Sequence, residues 1–384
     1  DYRLDVPAAV KNNLVDPVRF FVKNEPHLKE KLEAKRFRLI SSVSLVDQLV
    51  ERLLHSTMNN LEIEYWQRIP SKPGIGLTTD SDFARILDAF NQLRAATESD
   101  MSGYDTSVQY WEIIAEANIR LIMYKNNKNN VPKLFQNAVL ARALLTGDSM
   151  YVFSDGTLWY NYDRPGMQLS GCYLTSSCNS RMRILAHNIV HRNDTDWPTA
   201  FAMGDDCVES YTDGAIQLYK ELGHKVKFYE ACPSYEMDIN KFEFCSNMVV
   251  WTNSSYIKHY PSNVGKQLFH LLHQPKSRRN MLILQQFIDT IRYHPDNESI
   301  IHYLREDAEW GPIIPEKVEI SQYLTCQSLL ADKIKRMGAP RTILKQKKML
   351  AGLRPTLIQV TKDGVQNKVV KVKRNPSKSA ASQK

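Results

Sequence analysis

The chain has 384 residues, enough for two to four domains at roughly 100–200 residues each, and 43% hydrophobic and 24% charged residues exclude a wholly disordered protein. No apolar run reaches the roughly 18–20 residues of a membrane span, so an integral membrane protein is not expected. The formal charge of +8 belongs to one end: Lys333 to Lys384 holds 15 basic side chains and one acidic one, leaving the first 332 residues 35 basic and 41 acidic.

A polybasic end suits nucleic acid or an anionic membrane surface, and equally a solubilising tail. The start shows no secretory pattern, and Asp1 in place of Met marks a fragment or a processed product. The six cysteines form no CxxC pair, so no disulfide or zinc framework is expected and a reducing compartment fits.

Residues 1–45 are rich in Lys and Arg, including Lys23, Arg36 and Arg38, and run into the apolar-leaning Phe37-Arg38-Leu39-Ile40. Val43 to Met58 reads as an amphipathic helix. Ser81 to Leu93 reads as a second helix, capped by Ser81 or Asp82. A short strand, Arg94 to Ser99, ends at Asp100. A helix from Ser107 to Tyr124 should bury Trp111, Ile114, Ala115, Ala117, Asn118 and Leu121.

Tyr151 to Tyr162 alternates around Asp155-Gly156, a hairpin signal. Thr175 to Val190 reads as helix, Phe201 to Glu209 as two strands around a tight turn, and Asp213 to Leu222 as a helix ending at Gly223. Phe242 to Ser246 and Met248 to Trp251 suggest another hairpin. Val264 to Asp332 is mostly helical, and the Lys-rich end should be disordered.

The chemistry concentrates in three places. Gly204-Asp205-Asp206 puts adjacent carboxylates at a turn, where a hard divalent cation relieves their repulsion. Asp100 ends another strand; side by side, the two strands would hold two Mg²⁺ ions about 3.5–4 Å apart, the clamp used for phosphoryl transfer. Ser170-Gly171 precedes a helix on which Thr175 and Asn179 share a face, and a hydroxyl with an amide can read a ribose 2′-OH. His187 and His191 are also four apart. The residues between them lack the Glu of a zinc-protease helix and no third ligand is evident, so they read as core or groove histidines.

Asp-x4-Asp, then Ser-Gly-x3-Thr-x3-Asn, then Gly-Asp-Asp, in that order, resembles the palm of positive-strand RNA virus RNA-dependent RNA polymerases. Asp100 and Asp105 match motif A, Ser170 to Asn179 motif B, and Gly204 to Asp206 motif C. Phe242 to Ser246 looks like motif E, and Lys23-Asn24-Glu25 with Arg36 to Ile40 looks like motif F. The wording of Glu98 to Asp105 and Pro165 to Gly171 is most similar to sobemovirus, polerovirus and barnavirus polymerases.

The resemblance implies an α+β right hand with an RNA-recognition-like antiparallel palm sheet and a helical thumb. The expected division is fingers at 1–93 and 125–164, palm at 94–124 and 165–254, thumb at 255–332, and a basic extension at 333–384. It implies template-directed RNA synthesis from NTPs, with Mg²⁺ replaceable by Mn²⁺. Asp100, Asp205 and Asp206 would bind metal, Asp105, Ser170, Thr175 and Asn179 would read the 2′-OH, and Lys23, Arg36 and Arg38 would steady the triphosphate. Lys225 and Lys227 are both candidates for protonating pyrophosphate.

Partners implied are RNA template and product, NTPs, a genome-linked protein primer, and viral or host replication proteins. The implied place is the host cytoplasm, in membrane-associated replication complexes. The competing readings are a reverse transcriptase and a non-enzymatic RNA-binding scaffold.

Overall fold

The structure, a computed structural model, describes residues 4–306 apart from 26–28, 36, 94–95, 128–129, 195–198, 232–238, 253–256 and 274–280. Arg36, Cys232, Cys326, the last part of the expected thumb and the basic extension therefore lie outside the described residues. The chain begins α1 (Val6–Lys11), β1 (Val18–Val22), α2 (Lys29–Glu33), β2 (Leu39–Ser42), α3 (Leu45–Glu64) and α4 (Asp80–Phe90). It continues β3 (Ala96–Met101), α5 (Tyr104–Ser107), α6 (Tyr110–Asn127), α7 (Lys133–Gly147), β4 (Met150–Val152), β5 (Leu158–Tyr160) and α8 (Thr175–Val190). Next come β6 (Ala200–Met203), β7 (Asp206–Ser210), α9 (Ala215–Glu221), β8 (Val226–Ala231), β9 (Ile239–Phe244), β10 (Asn247–Thr252) and β11 (Ile257–Pro261). Three helices close the described chain: α10 (Val264–Leu272), α11 (Met281–Thr290) and α12 (Asn297–Glu306).

The central sheet has strand order β6-β7-β3-β8, with every neighbour antiparallel. Side chains alternate across it, as a pleated strand requires. Ser99, Cys207 and Glu209 face α8, where Arg183 and His187 meet them. Phe201 and Val208 face the other way, into an aromatic core built with α4 and the β9–β10 hairpin. Within that core, Phe90 stacks on Phe242 with centroids 4.4 Å apart, and Trp251 meets Phe90 edge-on. A second sheet, β2-β1-β4-β5, pairs β1 with β4 in parallel. The helices α10–α12 gather around Leu271, Leu284, Phe287, Ile291 and Leu304, a core of their own.

Local chemistry moved several element ends. α3 starts at Leu45 because Ser44 caps it, its Oγ accepting the Asp47 N–H at 3.2 Å. α4 is capped by Thr79, in place of the expected Ser81 or Asp82; Asp82 is the residue that reaches back to the Thr79 N–H at 3.0 Å. The expected helix from Ser107 is broken into α5 and α6, with Val108 and Gln109 between them.

The buried face of α6 also differs from the expected one. Trp111 and Asn118 are exposed, while Glu112, Glu116 and Arg120 are buried beside Ile113, Ala117 and Leu121. Arg120 donates to Glu116 at 2.6 Å, Asn59 at 3.0 Å and Ser177 at 2.9 Å, so the charges are satisfied inside. A hydrophobic count cannot see such pairs.

A similar pair ties α7 to α3. Arg142 donates to Glu51 at 2.8 Å and pairs with Asp47 at 2.9 Å, and Glu51 is completely buried. Replacing Arg142 with Met keeps the stem and strands the Glu51 charge. The expected loss is about 3–5 kcal/mol in urea unfolding, and a loss within experimental error of zero would show the pair to be dispensable.

Candidate active site

The site is built on the central strands. β6 and β7 pair from Ala200↔Glu209 to Met203↔Asp206, so only Gly204 and Asp205 form the turn. Gly204 sits at φ +69°, which L side chains avoid, and no atom lies within 4 Å of where a Cβ would be. The glycine is therefore needed for backbone conformation, and a left-handed first residue fits a two-residue II′ hairpin. The Gly204 N–H donates to Ser180 Oγ on α8 at 2.8 Å, which fixes the turn against the helix.

β3 and β7 pair from Ala96↔Ser210 to Ser99↔Cys207. Continued past Ser99↔Cys207, this register runs toward Asp100 and Asp206, and the Asp100 charge acts on Asp206. Asp100 lies inside β3, one residue short of its end. The carboxylates feel each other: Asp206 is pushed up to about 6, by burial first, then by the charges of Asp205, Asp100 and Glu243.

β8 delivers a cation to this cluster through a bulge. Asp100 pairs with Phe228 but Met101 pairs with Val226, so Lys227 is the extra residue on β8. Its ammonium forms a salt bridge with Asp100, and this bond, more than any other factor, holds the Lys227 ammonium above its usual range. Lys225 is exposed and contributes its carbonyl, which accepts the Ser102 N–H at 2.7 Å. Of the two candidate lysines, the structure brings Lys227 to the carboxylates.

The β9–β10 hairpin closes the other side. Cys245 and Ser246 form its two-residue turn at φ +51° and +57°, a left-handed pair without glycine. The Cys245 thiol hydrogen-bonds the Asp206 carboxylate, and the thiol is pushed up by burial and by the Asp206 and Asp205 charges. The sequence placed Phe242 to Ser246 in motif E and in a hairpin, but not Cys245 or Glu243 beside the carboxylates; the hairpin turn is Cys245-Ser246, inside the expected first strand.

Among the four residues expected to read the 2′-OH, two meet directly. Asn179 Nδ2 donates to Asp105 Oδ1 at 2.7 Å, while Asn179 Oδ1 is buried with no partner among the described residues. Burial holds the Asp105 carboxyl above its usual range; the Asp205 charge adds to this, and the Asn179 amide and Arg38 oppose it. Ser170 is joined to β2: its N–H donates to Ser41 Oγ at 2.7 Å, and the Ser41 N–H donates to Ser170 Oγ at 3.1 Å. The chains run so close here that a Cβ on Gly171 would fall 2.3 Å from the Ser41 carbonyl oxygen. The Thr175 hydroxyl is held by the Leu169 carbonyl at 2.7 Å, so it shapes the loop before α8 and is not joined to Asp105.

Lys23 and Arg38 meet over one carboxylate. Glu25 pairs with Lys23 at 2.8 Å and Arg38 at 3.4 Å, and the Lys23 bond is the main reason its carboxyl lies below the usual range. The Arg38 charge also reaches Asp105, which links β2 to the carboxylate site.

A family model described as viral RNA-directed RNA polymerase matches residues 3–261. The chain belongs to the viral RNA-directed RNA polymerase family. The chain is 41% identical over 244 residues to the replicase polyprotein P2AB of Cocksfoot mottle virus, covering 62% of this chain and 25% of that protein. It is 35% identical over 316 residues to protein P1-P2 of Potato leafroll virus, covering 78% and 27%. It is 34% identical over 299 residues to the RNA-directed RNA polymerase of Mushroom bacilliform virus, covering 75% and 68%. The chain thus spans about a quarter of the polyproteins it matches.

Among solved structures, the Sicinivirus 3Dpol RNA dependent RNA polymerase shares the fold at TM-score 0.56 and 16% identity, covering 84% of this chain and 70% of that one. The fold is the right hand of polymerases, and its α+β makeup is as the motifs implied. No helix among the described residues is long and apolar enough to cross a membrane.

The raised Asp206 carboxyl sets a stability test. Its value of about 6 exceeds the ordinary 3.8, so the folded metal-free protein carries its full penalty above pH 6 and sheds it as pH falls through 6. Asp206→Asn should therefore raise the melting temperature of chelator-treated protein at pH 8, by the equivalent of about 1 kcal/mol or more. That gain should shrink below pH 6. A variant that melts lower than wild type at pH 8 contradicts the repulsion.

Proposed function

We propose that the chain is the catalytic core of an RNA-dependent RNA polymerase that adds NTPs to an RNA 3′-OH. The observation that supports this is a strand register that runs toward Asp100 and Asp206 together, beside a turn holding Asp205, within a chain of this family. The donor set fits hard divalent cations: three carboxylates on one cluster, with Asp206 raised by burial and by its neighbours' charges and the Lys227 ammonium drawn to Asp100. Asp100, Asp205 and Asp206 would hold Mg²⁺, or Mn²⁺ in its place. Bound there, the ions would lower the pKa of the primer hydroxyl and offset the triphosphate charge.

The protein's own groups do the rest. The unpartnered Asn179 Oδ1 would accept the ribose 2′-OH hydrogen, with Asp105 fixing the amide from its other side. Ser170, tied to Ser41, would hold the loop over the sugar. Lys23 and Arg38, gathered by Glu25, would receive the triphosphate, with Arg36 beside them in sequence. Lys227 would move from Asp100 to the leaving pyrophosphate and protonate it.

In this reading the fingers comprise 1–93 and 125–164, the palm 94–124 and 165–254, and the thumb 255–332. The extension 333–384 would neutralise RNA phosphates.

The test is incorporation of labelled NTP on an RNA template, which should require Mg²⁺. Asp205→Asn should lower it at least about 100-fold, and unimpaired incorporation would overturn the site. Asn179→Ala should narrow the preference for NTP over dNTP by about 10–100-fold, the worth of a buried polar contact. A wild-type preference for dNTP would favour a reverse transcriptase, and RNA binding with no incorporation would favour a scaffold. For the leaving group, Lys227→Met should cut turnover about 100-fold and remove the alkaline limb of its pH profile, while Lys225→Met leaves both in place. The reverse pattern would transfer the role to Lys225.

A further inference from the structure

The face of β7 opposite Asp206 carries a second cluster of ligating groups. Glu209 points toward α8, where His187 and the helix-capping His191 lie one turn apart with ring centroids 4.1 Å from each other. All three side chains are at most 2% exposed. His187 Nδ1 lies 2.7 Å from Glu209 Oε2, and His191 Nε2 lies 3.9 Å from the same oxygen. One ligand atom from each residue falls within 4.8 Å of the others.

We propose that His187, His191 and Glu209 form a binding site for a Zn²⁺-class cation, buried between α8 and β7 and separate from the carboxylate site. Two observations besides proximity support it. His191 Nε2, the ring atom that faces Glu209 Oε2, is buried with no hydrogen-bond partner among the described residues, so its lone pair or N–H is left unused in a dry interior. In addition, His191 is held from behind: its Nδ1 faces Asp194 Oδ2 at 2.6 Å. A carboxylate on Nδ1 keeps the proton there and leaves Nε2 basic, the arrangement that orients metal-bound histidines. Burial also holds His187 below its ordinary value, hence in the neutral form that ligates.

The choice of ion follows from Arg183. Its guanidinium donates to Glu209 Oε1 at 2.6 Å and already balances that carboxylate. A cation held mainly by charge and oxygen, such as Mg²⁺, gains little at such a site. One that binds imidazole nitrogen strongly gains from both histidines. The two faces of β7 would therefore select different metals, Mg²⁺ on one and Zn²⁺ on the other. Tetrahedral zinc has bonds of about 2.0–2.2 Å and ligand atoms about 3.3 Å apart, so the 2.7 Å His187–Glu209 contact would open and the 3.9 Å His191–Glu209 gap would close by about 0.6 Å each, with the Tyr219 hydroxyl giving up its bond to Glu209 Oε2. Bound zinc would lock the end of α8 to the strand bearing Asp206.

Zinc content of the full chain is the test, and it reads this site whether or not NTP is incorporated. Protein incubated with Zn²⁺ and dialysed against buffer containing Mg²⁺ should keep about one zinc per chain, and Co²⁺ loading should give the visible absorption of a tetrahedral site. Asp205→Asn should keep the zinc; His191→Gln and His187→Gln should each lose most of it. Zinc-free wild-type protein with no cobalt band overturns the proposal even if the histidine variants fail to fold. Zinc content unchanged in both histidine variants also overturns it, as adventitious surface binding.

Discussion

The Arg183 guanidinium is the contact on which the placement of the carboxylate-bearing strands depends. It is wholly buried, and from α8 it donates to Ser99 Oγ at 2.5 Å on β3, to Glu209 Oε1 at 2.6 Å on β7 and to the Tyr219 hydroxyl at 2.9 Å on α9. Ser99 is the residue before Asp100, and Glu209 lies three residues after Asp206. One planar cation thus sets the relative height of the two strands whose outer faces carry the carboxylates. The Glu209 charge and the hydrogen bonds are what make burial of Arg183 tolerable, and removing either partner would leave an isolated charge in the core.

Across the sheet the balance is reversed. Behind β3 and β7 opposite charges are paired; in front, burial and then the charges of Asp205, Asp100 and Glu243 push Asp206 up to about 6. A protein folded only for stability would not gather like charges there. The repulsion is held by the well-packed aromatic core beneath it, Phe90, Phe201, Phe242 and Trp251, and by the left-handed Cys245-Ser246 turn that brings a thiol to Asp206. Strain and repulsion in one place, balanced by packing elsewhere, is the pattern expected of a functional site. The Lys227 bridge belongs to the same arrangement, since the bulge that aims it also interrupts the β3–β8 ladder.

Helices, hairpins and the order of the motifs were legible in the sequence because each rests on local chemistry. The span of α8, the Gly204-Asp205 turn and the strands beside it follow from periodicity and one left-handed glycine. The buried face of α6 was misread because Glu112, Glu116 and Arg120 look like surface residues until their partners on α3, α8 and around His224 are in place. The same blindness hid Glu25 as the carboxylate that gathers Lys23 and Arg38, and Glu209 as a third group beside the two histidines.

By itself, the sequence determined the family and the strand–turn–strand that carries Asp205 and Asp206, since residue type and spacing of a few positions decide those. Only the tertiary structure brought Lys227 to Asp100, joined Asn179 to Asp105 and separated Thr175 from that pair. A one-residue bulge reverses which way a strand side chain points, and residues 74 positions apart meet only through packing. Neither effect leaves a periodic trace in the chain.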